Sequence, residues 1–238
     1  MVLFFGLESY SQDSLRPLLP QDFGQWETLG FGGILSEDGN WLAYSIRRNN
    51  DKNEVRLHNL ENGDTKILEQ ATDFQISKNN VWFGYLINLP AEEKKKLEEA
   101  KKPVHTDFGL INLSNGDSLV IESVSSFSFS IDGNFIVLKR YVQKSVKNGG
   151  VEIIVRNLST EANLSFGNVS EFKWQDEGPL LAMLIKTPGK TGNGVQLYNS
   201  TNGTLQLLDG RESVYKGLSW RKKSDDLSGI PISTSRRL

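Results

Sequence analysis

The sequence predicts an all-β fold: a partial β-propeller of about four four-stranded blades plus the start of a fifth. Three observations carry that prediction. A turn-and-strand motif recurs along the chain at spacings of 41, 53, 45 and 46 residues. A hairpin signature follows each of the first four copies. Glycine is abundant at 22 and proline sparse at 7, the balance that many short turns between strands require. Repeats of this length, each holding several strands, are the pattern of propeller blades.

The leading motif is Ser36-Glu37-Asp38-Gly39-Asn40-Trp41-Leu42-Ala43-Tyr44. Ser77-Lys78-Asn79-Asn80-Val81-Trp82-Phe83-Gly84-Tyr85 matches it position for position, and so does Ser130-Ile131-Asp132-Gly133-Asn134-Phe135-Ile136-Val137-Leu138. A weaker copy begins at Gln175, after Trp174, and a fifth follows Trp220, which aligns with Trp174. Asp-Gly is turn chemistry, and Ser36 or Ser130 stands where a hydroxyl hydrogen-bonds the turn backbone. The alternating run after the turn is a half-buried strand, which makes Trp41, Trp82 and Phe135 equivalent core positions.

The second signature is an apolar run, a turn and another apolar run. It spans Val55 to Leu68 with Asn62-Gly63, Phe108 to Ile121 with Asn115-Gly116, and Val195 to Leu208 with Asn202-Gly203. The third copy, Ile153 to Phe166, carries Thr160-Glu161 instead. Asn-Gly suits a two-residue turn in which both residues take positive φ. Each unit therefore reads as an inner strand, the Ser-x-Asp-Gly turn, a second strand and a hairpin. An ordinary sandwich meander would not carry two registered motifs in every repeat.

In chain order, residues 1–12 hold an apolar run, Val2 to Leu7, then small residues Ser9 and Ser11 at the spacing of a cleavage site. This reads as the back half of a secretory signal whose basic front is missing, with a strand or a disordered tail as the alternative. Residues 13–30 are a lead-in that packs on the first blade. The blades are expected at 31–69, 70–122, 123–168 and 169–210, with an incomplete fifth at 211–227. Between strands of the second, Pro90 to Lys102 is helix-forming and almost wholly charged, with Pro90 suited to the first turn and Glu92 paired to Lys96. It lacks an apolar face, so it is a solvated excursion. Gln143 to Gly150 and Thr187 to Gly194 are shorter excursions at the equivalent point. Residues 228–238 are expected to form an irregular tail that breaks the repeat.

Bulk properties exclude several classes. The formal net charge of −2 over 238 residues leaves no basic stripe for nucleic acid. With no cysteine there is neither disulfide nor thiolate metal site. No apolar run has the length of a membrane span. The Asn-x-Ser/Thr triplets at Asn112, Asn157, Asn163, Asn168, Asn199 and Asn202 cluster in part at the hairpin turns, and turn composition explains them better than glycosylation. A serine hydrolase needs its nucleophile on a G-x-S-x-G elbow with an acid and a histidine, and no such elbow occurs. The two histidines, His58 and His105, sit in different blade positions and form no recognisable metal pair. Asp38, Asp132 and Glu177 are equivalent carboxylates, but turn chemistry accounts for them without glycosidase catalysis. No catalytic, cofactor or metal residue is expected in this chain.

The Ser-x-Asp-Gly-x-x-Leu-Ala-Tyr repeat resembles the propeller repeat shared by TolB-like proteins and by the N-terminal half of prolyl oligopeptidase-family serine peptidases. It differs from the sialidase Asp-box, which has an extra residue before its glycine. The peptidase side of the resemblance rests on Gln25-Trp26-Glu27 ahead of Ser36, on the Lys/Glu-rich excursion at 91–102 returning as Phe108 to Leu113, and on the export signal. It covers residues 22 to 227. The family implies a C-terminal α/β-hydrolase domain as partner, peptide substrates, and a propeller that admits only short or unfolded peptides to the active site. It also implies an exported protein, periplasmic or secreted. Nothing here matches the catalytic domain, so no catalytic residue is carried over. The alternative is a stand-alone periplasmic TolB-like scaffold whose blade loops hold a protein partner; a propeller carbohydrate enzyme is a third class.

Overall fold

A computed structural model describes residues 17–30, 32–142 and 149–232. The signal expected at 1–12, most of the excursion at 143–150 and the tail beyond 232 lie outside the described residues.

The lead-in contains a short 3-10 helix, Pro20–Gln25, with Pro at its first position. β1 (Glu27–Leu29), β2 (Ile34–Leu35), β3 (Trp41–Arg48), β4 (Glu54–Asn59) and β5 (Thr65–Glu69) form the first sheet. β1 and β2 both pair with β3, and β4 and β5 follow outward. The second sheet is β6 (Ala71–Ile76), β7 (Trp82–Ile87), β8 (Asp107–Asn112) and β9 (Ser118–Ile121), in that order. The charged helix α1 (Ala91–Glu99) joins β7 to β8 and buries no residue; Pro90 stands at its cap. Next come β10 (Val124–Phe129), β11 (Phe135–Arg140), β12 (Val151–Asn157), β13 (Asn163–Trp174), β14 (Leu180–Ile185), β15 (Gly194–Asn199) and β16 (Leu205–Gly210). β17 (Val214–Trp220) and β18 (Leu227–Ile232) pair as a hairpin. Every pairing is antiparallel between strands close in sequence, so the chain is a string of meanders.

Four differences from the sequence expectation have physical causes. First, β10 to β16 form one seven-stranded sheet, because β13 runs from the outer edge of the third unit into the inner position of the fourth. Asn168 lies in β13 with φ +57, the left-handed bend that Gln70 and Ser123 make at the two earlier crossings.

Second, the hairpin loops have four residues rather than two. Asn59 N–H donates to the Asp64 carbonyl at 2.8 Å and Gly63 N–H to the Asn59 carbonyl at 2.9 Å. Of Asn62 and Gly63 only Gly63 is left-handed. Glu161 takes that conformation in the third hairpin, with φ +62. The loops start at Asn59, Asn112, Asn157 and Asn199, whose side-chain oxygens accept backbone N–H groups within the turn.

Third, Trp41, Trp82 and Phe135 are half-buried and pack against the core clusters from outside. They sit at the turn end of their strands, where neighbouring sheets splay; Trp41 faces Leu113 and Gly116 of the next hairpin. Fourth, β18 continues through residues 228–232, where an irregular tail was expected: it pairs with β17 and the ladder closes across Pro231, opposite Tyr215.

The core lies between units, not within them. Each sheet has a front face toward the following unit and a back face toward the preceding one. Ala43, Val55 and Leu57 on the front of the first unit meet Phe83, Tyr85 and Ile111 on the back of the second. Leu86, Phe108 and Leu110 meet Ile136 and Leu138. Val137, Ile153 and Val155 meet Leu181, Met183 and Tyr198. Leu184 and Val195 meet Tyr215. Each fully buried apolar side chain contributes about 1.5–3 kcal/mol. Gly84 is needed at one such contact, since a Cβ there would meet Phe127 at 2.9 Å and Phe108 at 3.1 Å.

Candidate functional site

The inner strands converge at their turn ends. Leu35, Ile76, Phe129 and Trp174 are the last residues before each turn, and they line a cavity of about 490 Å³ together with the turns that follow. This is the mouth of a central channel: an apolar collar under a polar rim. The rim carries Glu37, Lys78, Ile131 and Asp176, each one residue after the motif's first position. Glu37 and Lys78 form an ion pair between the first and second units.

The motif serines build this rim. Ser36, Ser77 and Ser130 are buried. Each hydroxyl donates to the side chain two residues on: Asp38 at 2.6 Å, Asn79 at 2.6 Å and Asp132 at 2.5 Å. Each also accepts a backbone N–H five residues on, from Trp41, Trp82 and Phe135, at 2.9 Å. The Ser36 hydroxyl, with the Asn40 N–H, holds the Asp38 carboxyl below its usual range. Burial pushes the Asp132 carboxyl up, but the Ser130 hydroxyl and Asn134 N–H outweigh it and leave it lowered. Gly39 and Gly133 complete these turns with φ +76 and +69.

The turns also tie neighbouring units together. Glu37 N–H donates to Asn80 at 3.0 Å. Asn79 lies over Gly133, where a Cβ would come within 2.5 Å of its amide. Gln175, the fourth motif's first residue, donates to Asp225 at 2.6 Å. Trp174 and Trp220 are buried and make the same contact one unit apart. Their indole N–H groups donate to the carbonyls of Ser128, at 3.3 Å, and Lys173, at 3.0 Å. These tryptophans stitch successive inner strands around the channel.

The histidines lie elsewhere. His58 Nδ1 contacts Thr65 at 2.6 Å in the outer part of the first sheet. His105 stacks on Tyr141 with ring centroids 4.0 Å apart, and its Nδ1 is 3.3 Å from the Ser123 hydroxyl. Ser123 has φ +57, which suggests a nucleophile elbow. Gln70 and Asn168 share that backbone at equivalent crossings, so the bend belongs to the repeat. Among the described residues no ion pair places a carboxylate on His105 to orient it as a base. Nor do three His, Asp or Glu side chains converge there in a way that could hold a metal. No helix among them is long and apolar enough to cross a membrane.

Away from the mouth, Glu27 and Glu54 alternate with Arg48 and Arg56 in a ring of four ion pairs at 2.6–2.8 Å on the back of the first sheet. Hydrogen bonds from Arg56 to Glu27, and from Arg48 to Glu54, hold both carboxyls below their usual range. The sequence reading gave Glu27 no ionic role, yet its pairs with Arg48 and Arg56 add to the backbone ladder that holds β1 on β3.

No protein-family model matches the chain, and no curated protein matches it in sequence. Solved structures do. A structure from a study of two prolyl endopeptidases is 13% identical, with a TM-score of 0.52 over 82% of this chain and 31% of that one. The β-propeller domain of the Trilobed protease from Pyrococcus furiosus is 12% identical, with a TM-score of 0.51 over 87% of this chain and 69% of that one. Acylaminoacyl peptidase from Pyrococcus horikoshii is 14% identical, with a TM-score of 0.48 over 82% of this chain and 34% of that one. The chain thus spans about a third of the length of the prolyl endopeptidase and acylaminoacyl peptidase chains it matches. With sheets that succeed one another around a channel and likeness to those first two structures, the chain has an all-β propeller fold.

Proposed function

We propose that this chain is the non-catalytic propeller part of an exported prolyl oligopeptidase-like serine peptidase. In this reading it comprises four blades and the opening of a fifth, and it gates peptide access to an α/β-hydrolase domain carried elsewhere in the parent protein. The observation that supports this most is the channel mouth. Its collar of Leu35, Ile76, Phe129 and Trp174 offers an apolar surface of the kind that the side chains of an unfolded peptide would meet. Its serines are committed to the turns, and among the described residues neither histidine lies beside them. Gating needs shape and an apolar surface; hydrolysis needs an activated nucleophile, a base and oxyanion donors.

The test is covalent labelling. The 238-residue chain alone is expected to cleave no chromogenic dipeptide substrate and to take no fluorophosphonate label. A longer protein that joins this sequence to a G-x-S-x-G domain is expected to do both. Stoichiometric labelling of the chain itself would overturn the reading and direct attention to Ser123 and His105.

A further inference from the structure

The hairpin tips of the first, second and fourth units carry the same dipeptide: Asn62-Gly63, Asn115-Gly116 and Asn202-Gly203. They also share one backbone conformation. The glycines have φ +83, +81 and +72. Their N–H groups donate to the carbonyls of Asn59, Asn112 and Asn199 at 2.9, 2.8 and 2.9 Å. Each tip asparagine accepts on its side-chain oxygen the backbone N–H two residues on, from Asp64, Asp117 and Thr204, at 2.9, 3.0 and 3.0 Å. All three asparagines are exposed. The third unit has Thr160-Glu161 at this place and so no amide there.

One contact separates the three copies. In the first and second units the residue two on is an aspartate, and the asparagine's amide nitrogen donates to its carboxylate. Asn62 reaches Asp64 at 2.8 Å and Asn115 reaches Asp117 at 2.7 Å. In the fourth unit that residue is Thr204, whose hydroxyl donates to the Asn202 Oδ1 at 2.8 Å. The Asn202 oxygen therefore receives a hydroxyl as well as a backbone donor. Among the described residues the oxygens of Asn62 and Asn115 receive the backbone donor alone, beside a negative charge.

We propose that Asn202 is a self-modification site, converted to aspartate and isoaspartate ahead of Asn62 and Asn115. The Gly203 backbone nitrogen, unobstructed by a Cβ, gives its proton to solvent base and attacks the Asn202 Cγ. Negative charge develops on Oδ1. The Cγ–Nδ2 bond then breaks, and the amide nitrogen takes a proton from solvent and leaves as ammonia. A cyclic succinimide remains. Water opens it at Cγ to give aspartate, or at the main-chain carbonyl to give isoaspartate. One water is consumed and one ammonia released, with nothing oxidised or reduced. Donors aimed at the oxygen where charge develops stabilise the tetrahedral intermediate, and Thr204 supplies the extra one. The carboxylates of Asp64 and Asp117 act in the opposite sense, since they repel both the deprotonated nitrogen and the developing oxyanion. The glycine N–H bond to the loop's first residue must open in all three copies, so it slows them alike. Asn193-Gly194 is a different case. Asn193 is buried, with its amide held by Thr187 and Ser213, and is expected to stay intact. Isoaspartate lengthens the backbone of the loop that sets the β15–β16 register and leaves a new negative charge at its tip.

Peptide mapping by mass spectrometry, after incubation of the folded chain in mildly alkaline buffer, reads the conversion at each tip. Asn202 is expected to convert at least about threefold faster than Asn62 or Asn115, the effect of one added hydrogen bond. Exchanging the residue two on should exchange the rates. Thr204→Asp is expected to slow Asn202 to the rate of the other two, and Asp64→Thr to raise Asn62 toward the wild-type rate of Asn202. Both positions are exposed, so both variants are expected to fold, with circular dichroism as the check. In denaturant, which removes these contacts, the three rates are expected to converge. Equal conversion of the three amides in the folded chain overturns the proposal, as does conversion of Asn62 or Asn115 first. So do exchange variants that leave the rates unchanged, and a ranking that persists undiminished in denaturant, which would place its cause in the local sequence and not in the folded turn.

Discussion

Ser36, Ser77 and Ser130 each use one hydroxyl to hold both sides of a tight turn, and the acceptor decides how the turn responds to acid. Asp38 and Asp132 accept as carboxylates, while Asn79 makes the same 2.6 Å contact as a neutral amide. Both aspartates have lowered pKa values in the fold. A group whose folded pKa lies below its unfolded value contributes stability that is fully present above the unfolded value. That contribution is lost as pH falls through the folded one. The turns of the first and third units are therefore expected to weaken as pH drops below the ordinary aspartate value of 3.8, and the second is not. The double variant Asp38→Asn, Asp132→Asn copies the Asn79 solution. It is expected to keep its thermal midpoint at neutral pH within a few degrees and to lose less stability on acidification than the wild type. Thermal melts at neutral and acid pH check this; equal acid losses in both proteins would show that the aspartates do not set the response.

At the scale of the strand, depth along the element matters more than the size of the side chain. Trp41 and Phe83 are both large aromatics in second strands, yet Phe83 is fully buried between units and Trp41 is half-exposed at the turn end of β3. Phe83→Ala is expected to cost about 3–5 kcal/mol, the usual loss for emptying a buried aromatic site. Trp41→Ala is expected to cost less, about 1–3 kcal/mol, because much of its surface already meets water. Denaturant unfolding gives both values, and a Trp41 loss equal to or above that of Phe83 would refute this ordering. The same contrast explains what was legible in the sequence. The turn motif was readable because a buried serine, an acceptor two residues on and a left-handed glycine or asparagine each demand particular residue types. The hairpins were located by their Asn-Gly pairs. Their four-residue length was not, because Asn59 and its counterparts contribute through a side-chain oxygen that carries no periodic signal. The left-handed crossings at Gln70, Ser123 and Asn168 share no residue type, so nothing in the sequence marked them. The channel collar was legible only in part: Trp174 and Trp220 aligned as repeats, but Leu35, Ile76 and Phe129 become one surface only when sheets are arranged side by side.

For the whole molecule, stability follows from how many neighbours each sheet has. The second, third and fourth units carry apolar clusters on both faces, whereas among the described residues no apolar cluster covers the back of the first or the front of the fifth. Among the described residues the fifth unit is a hairpin, and β18 has one free edge. Local opening costs least where few apolar contacts are broken, and amide exchange reports that cost strand by strand. In dilute solution the slowest exchange is expected in β11 and β14, which lie inside the seven-stranded sheet and carry Ile136, Val137, Leu181 and Ala182 at 0% exposure. The fastest exchange among the strands is expected in β18, with β1 and β5 next. The tryptophan bonds from Trp174 to Ser128 and from Trp220 to Lys173 oppose separation of the third, fourth and fifth units, so β17 is expected to be better protected than β18. A profile that is flat across all the sheets would contradict the graded stability argued from the buried faces.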